Sequence, residues 1–185
     1  DKPGTYEVAE DLHAVDPKKP VISITASDVF LDLKHHTIDL CGNGRIGIIA
    51  EEVSNLFIRD GTIKNGSKEV GPSDNIQVPL FLPEGGYSIP DVQRAGLRLK
   101  SCSLVDLRDL DFQDLLYGLV STNTKENYFL EKINSLNIGT TIVVDGNEQG
   151  VGAPIAITGP SLHQHGKDIK IQNCLLTSQK AKFGI

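Results

Sequence analysis

The sequence predicts an all-β solenoid, a chain wound from repeated short strands, and three observations predict it. First, five segments superimpose with apolar residues at matching offsets: Leu31-Asp32-Leu33, Leu56-Phe57-Ile58, Val105-Asp106-Leu107, Tyr128-Phe129-Leu130 and Ile169-Lys170-Ile171. Second, their closing residues lie 25, 49, 23 and 41 positions apart. Two intervals are single periods of about two dozen residues, and two are a period plus an insertion. Third, apolar and polar residues alternate in short runs, the pattern of a strand with one buried face. No stretch sustains the i, i+3, i+4, i+7 spacing of a long helix.

Each unit has the same internal order. In the unit from Ala95, Leu97 and Leu99 flank Arg98, Val105 and Leu107 flank Asp106, and Leu110 and Phe112 flank Asp111, giving three short strands separated by bends. Companion units start at Pro20, Ile46, Tyr117 and Pro154, the last with a longer first bend. His35 takes the bend position that Asp60, Asp109, Lys132 and Asn173 fill elsewhere. Three strands per coil, stacked by parallel pairing, wind a right-handed single-stranded parallel β-helix. At about 4.8 Å between strands, five to six coils make a rod only about 25 Å long. Each coil buries its apolar face only against its neighbours, so the ends need covering.

A chain of 185 residues is one domain. Residues 20–65, 95–138 and 154–185 form the coils, and 66–94 and 139–153 are long insertions between them. Loops of that length are more often functional than decorative.

The Gly-plus-aliphatic starts Gly47-Ile48, Gly96-Leu97, Gly118-Leu119 and Gly184-Ile185, with the segments 55–65 and 168–178, resemble the right-handed parallel β-helix superfamily. That superfamily includes pectate lyases, polygalacturonases, alginate epimerases and phage tailspikes. The resemblance covers the chain from Gly4, where GTYEVAEDL looks like an entry strand, making 1–19 an entry strand and cap. It implies a functional groove on the outer face of the strands that open each coil, walled by the two insertions. It does not fix a chemistry, because one fold hosts many.

Composition narrows the partners. A hydrophobic content of 39%, no Trp or Met, and only 6 Phe and 4 Tyr suit a thin core of Ile, Leu and Val. The net charge of −6 argues against nucleic acid and anionic membranes, which need clustered Lys and Arg. No apolar run is long enough to span a membrane. A chain opening on Asp1 without a Met reads as a processed or trimmed form, which leads us to expect a secreted, extracellular or particle-surface protein. Cys41, Cys102 and Cys174 fall at different corners of the repeat, so free and mostly buried thiols are expected, with one disulfide as the alternative. Asn65-Gly66-Ser67 is an N-glycosylation acceptor by pattern.

Alternation also reads out the groove floor. With Ile48, Leu97, Leu119 and Ile155 inward, Ser23, Ile49, Arg98, Val120 and Ala156 point out, followed by Thr25, Glu51, Lys100, Thr122 and Thr158. This floor is largely apolar and lacks the paired carboxylates that a glycoside hydrolase requires. Arg98, Lys100 and Glu51 are the catalytic candidates, and Tyr87 with Arg98 the substrate-binding ones. An exposed ion pair on a solvated sheet is the preferred explanation of the first three. Asp145, Asn147 and Gln149 place oxygens at alternate positions like the first half of a calcium loop, but the closing Glu is missing and Ala156 stands there. Calcium is therefore the one cofactor considered, and no cofactor is the expectation. His163 and His165 lack a third metal ligand.

The apolar run in the first insertion, Val78, Leu80, Phe81 and Leu82, and a strand cut short at Lys182 to Ile185 point to an interface. The expected role is a non-catalytic structural or binding module, assembling with itself or another protein chain through loops and coil ends, with a polysaccharide as a further ligand. The alternative is a polysaccharide lyase, hydrolase or epimerase acting on an acidic glycan.

Overall fold

The computed structural model describes residues 2–16, 18–42, 46–65, 80–81, 87–88, 95–123, 125–138, 140–144, 147–151, 153–157 and 169–176; at 80–81, 87–88, 140–144 and 147–151 only backbone pairing is described. Over these residues the chain is all β, with no helix. In order come β1 (Gly4–Glu7), β2 (Leu12–His13), β3 (Ile22–Ile24), β4 (Val29–Asp32), β5 (Thr37–Asp39) and β6 (Ile46–Glu51). Next are β7 (Ser54–Lys64), β8 (Leu80–Phe81), β9 (Tyr87–Ser88), β10 (Ala95–Lys100), β11 (Ser103–Gln113) and β12 (Tyr117–Thr122). The last are β13 (Glu126–Leu136), β14 (Thr140–Val144), β15 (Asn147–Val151), β16 (Ala153–Ile157), β17 (Ile169–Gln172) and β18 (Leu175–Leu176).

Two parallel sheets organise the chain. A nine-stranded sheet has the order β1-β4-β7-β11-β13-β17, with β5 beside β7, β2 beside β5 and β18 beside β13. A five-stranded sheet runs β16-β12-β10-β6-β3. The chain visits them alternately, and each visit lays a strand parallel to the one laid a repeat earlier. This order is compatible with the expected coil. The hairpins β8-β9 and β14-β15 are antiparallel and stand outside both sheets.

Period-two alternation places the core as expected. Ile48, Leu97 and Leu119 are cross-strand partners and wholly buried, and Ile155 continues their row at 9% exposure. In the larger sheet Ile58, Leu107 and Leu130 form the matching row, also wholly buried. Both rows belong to one apolar cluster between the sheets. Each such side chain contributes about 1.5–3 kcal/mol on burial.

The bends are columns of left-handed residues. Asp60, Asp109, Lys132 and Asn173 have φ of 58°, 50°, 52° and 55°, and His35, whose amide donates to the Asp60 carbonyl at 2.6 Å, has 62°. The second and third short strands of a repeat therefore join into strands of 11 residues such as β11, bent at the left-handed Asp109 and with a second left-handed residue, Leu104, near its start. One register departs from the sequence alignment. Leu31, not Leu33, pairs with Ile58, while Thr37 still pairs with Thr62. The two surplus residues are absorbed at Lys34 and His35, both left-handed. A slip of two leaves every side chain on its own face.

Glycine is the second residue of β6, β10 and β12 for a steric reason. A Cβ on Gly96 would meet the Phe112 ring at 2.7 Å, and one on Gly118 would meet the Pro154 carbonyl oxygen at 2.5 Å.

All three cysteines are free thiols. Cys102 is wholly buried, with Sγ 3.4 Å from the Ala50 carbonyl oxygen, and burial pushes its pKa up. Cys174 sits in the row of Leu110 and Ile133 and accepts the Ile133 amide at 3.4 Å. Cys41 departs from the expectation of buried thiols, being exposed. Asn65 is only 7% exposed, so the folded chain does not present its amide for glycosylation. Val78, Leu82, Asp145, Thr158, His163, His165 and the strand expected at Lys182 to Ile185 lie outside the described residues.

Candidate functional site

The outer face of the five-stranded sheet is where sequence reasoning places a site. The row Ser23, Ile49, Arg98, Val120, Ala156 is present as successive cross-strand partners. Lys100 pairs with Glu51 on one side and Thr122 on the other. Alternation inside β10 puts Leu97 and Leu99 in the core, leaving Arg98 half exposed and Lys100 exposed beside the exposed Glu51. The register thus brings all three catalytic candidates onto one face. Two cations and one carboxylate can grip an anionic group, but they supply no second carboxylate for acid–base work.

Part of this face is not open. Val120 is 1% exposed and forms a second small core with Ala95, Leu116 and Tyr117, against which Ala153 and Ala156 pack. Burial there also raises the Tyr117 hydroxyl above its ordinary pKa. The floor is thus apolar, as expected, but covered at Val120. Tyr87 lies in β9 opposite Phe81 of β8, with Leu80 opposite Ser88, so the substrate-binding candidate Tyr87 and the interface candidates Leu80 and Phe81 share one hairpin. Asn147 and Gln149 of the calcium candidate lie in β15, paired with Val144 and Ile142 of β14.

Sequence reasoning missed the outer face of the nine-stranded sheet. Phe30, Phe57, Asp106 and Phe129 form one outward row, and Asp32, Arg59, Arg108 and Glu131 the next. The Phe30 and Phe57 rings stack at 4.6 Å with planes 6° apart, close to the strand spacing. Arg59 lies 5.1 Å from the Phe30 centroid, and Arg108 5.5 Å and 4.9 Å from those of Phe57 and Phe129. Arg59 also reaches Asp32 at 2.8 Å, and Arg108 donates to both Asp106 oxygens at 2.8 Å. The Phe30 and Phe57 rings thus stack on each other and carry guanidinium groups, and Phe129 carries Arg108. The alternating Phe-x-Asp and Asp-x-Arg pattern was the available signal, but it becomes a ladder only once the register is known.

No family model matches the chain, and no curated protein or solved structure matches it.

Proposed function

We propose that this chain is a right-handed parallel β-helix module of about five to six coils, with a structural, non-catalytic role in a secreted or particle-surface protein, assembling end to end with further copies of itself. One observation carries this reading. The apolar column that is wholly buried at Ile58, Leu107 and Leu130 reaches open surface at both ends, with Tyr6 at 43% and Ile171 at 37% exposure. Ile169 and Leu175 are 41% and 64% exposed beside it. Among the described residues β1 and β17 each have one neighbour, so each offers an edge. Joining β17 of one copy to β1 of the next continues both the hydrogen-bond ladder and the column. Such a head-to-tail contact repeats and builds a fibre. The β8-β9 hairpin, with Leu80 and Phe81, is the second proposed contact.

Light scattering over a dilution series tests this reading. The expected result is a mass that rises with concentration and stays monomeric in an Ile169→Lys, Ile171→Lys double variant. Loss of assembly only with Phe81→Glu and Leu82→Glu would move the interface to the hairpin. A monomer at every concentration would overturn the proposal.

A second reading has one observation in its favour, the register that seats Glu51 beside Lys100 and two residues from Arg98. It is an enzyme acting on an acidic polysaccharide. Its test is polysaccharide cleavage that Arg98→Ala abolishes.

A further inference from the structure

His13, Asp39 and Cys41 meet at one corner of the nine-stranded sheet although His13 and Cys41 are 28 positions apart in the chain. β2 lies parallel to β5, and the register makes His13 the direct partner of Asp39. Cys41 follows in a tight turn with a left-handed φ of 53°. Its amide donates to Asp39 Oδ1 at 2.7 Å, which folds the turn back and brings Sγ to 4.0 Å from His13 Nδ1. One donor atom from each of the three residues lies within 4.8 Å of the others. His13 and Cys41 are exposed and Asp39 is half buried, so the corner is open to solvent.

We propose that these three side chains bind a divalent transition metal, zinc in the first instance. An imidazole nitrogen, a carboxylate oxygen and a thiolate sulfur are the donors zinc takes, and three protein ligands with an open fourth position make an accessible site. Calcium and magnesium take oxygen donors, so the thiol selects against them. Zinc–ligand bonds of about 2.0–2.3 Å set tetrahedral donor separations of about 3.3–3.8 Å. The observed 4.0 Å between sulfur and nitrogen therefore closes by a few tenths of an ångström, within reach of a side-chain rotation. The backbone is already fixed by the β2-β5 pairing and the Asp39–Cys41 turn. Binding takes the proton from the Cys41 thiol and releases it to solvent. Lys64 opposes the metal, because its ammonium lies 3.6 Å from Asp39 Oδ2 and must give way.

The test uses the whole chain after chelator treatment, titrated with zinc in a calorimeter and with cobalt(II) as a spectroscopic probe. The expected result is one ion per chain and a thiolate-to-cobalt charge-transfer band. Cys41→Ser removes the band, and Cys41→Ser, His13→Gln and Asp39→Asn each weaken zinc by about tenfold or more. Cys174→Ser leaves band and affinity unchanged, and Lys64→Gln tightens binding. Thermal melts in chelator that coincide with the parent's show that the substitutions spare the fold. Absence of saturable binding, a band that survives Cys41→Ser, or a band that follows Cys174 would overturn the proposal.

Discussion

Asp32 lies on the outer face of the larger sheet yet is only 2% exposed, beside Lys34 and Arg59, and its environment shows which effect wins there. Burial works to raise its pKa, but the Lys34 amide at 2.8 Å and the Arg59 guanidinium at 2.8 Å outweigh burial and hold it below the ordinary value of 3.8. The folded chain thus binds this proton less readily than the unfolded chain. The resulting stability is present above pH 3.8 and is lost as the pH falls through the lowered folded value. Asp32→Asn keeps the turn acceptor and removes the charge. It should cost about 1–2 kcal/mol at neutral pH, moderated by the exposure of Arg59. Urea denaturation at pH 7 and again well below pH 3.8 checks this, and the gap should narrow at the lower pH. Gly96 makes a purely steric case. Gly96→Ala drives a methyl into Phe112 and Leu115 and should cost about 1–3 kcal/mol by the same assay. That glycine recurs near the start of the units from Ile46, Ala95 and Tyr117 was visible in the sequence. That Phe112 of the following strand is what forbids a side chain there was not, because the contact crosses from one sheet to the other.

At the scale of elements, the strands were legible and their seams only partly so. Alternation sorted inward from outward residues in β6 and β10, but in β12 the outward Val120 is buried in the second small core, which the pattern did not show. The alignment was two residues out between β4 and β7, since an even slip preserves the faces and leaves no trace in the pattern. His13, Asp39 and Cys41 escaped for a related reason: β2 has only two residues, too few to show a period. The left-handed columns give a prediction of their own. Asp28, Asn55, Leu104 and Asn127 occupy equivalent positions with φ of 58°, 56°, 52° and 41°. Asn55 Nδ2 donates to Asp28 Oδ1 at 2.8 Å, a side-chain bond between neighbouring repeats. Leu104 is 47% exposed and is the member whose side chain is least suited to this conformation. Leu104→Asn should therefore stabilise the chain by about 0.5–1 kcal/mol, seen as a higher urea midpoint. An unchanged or lower midpoint would mean that the Leu104 side chain contributes packing that offsets its backbone strain.

For the whole molecule, stability and the proposed assembly would have a common source. Among the described residues the rows stack strand on strand within the cluster between the sheets, and the outermost rows, at β1 and β17, have one strand neighbour each and are partly exposed. The sequence alone raised association as an expectation. It did not show that Tyr6 and Ile171 terminate the same column, because this follows from four successive registers. Amide hydrogen exchange at two protein concentrations tests end-to-end assembly most directly. The account predicts that β17 (Ile169–Gln172) exchanges fast in dilute solution and slowly at high concentration, while β11 in the middle of the sheet is protected at both. Exchange in β17 that is equally fast at both concentrations would contradict it.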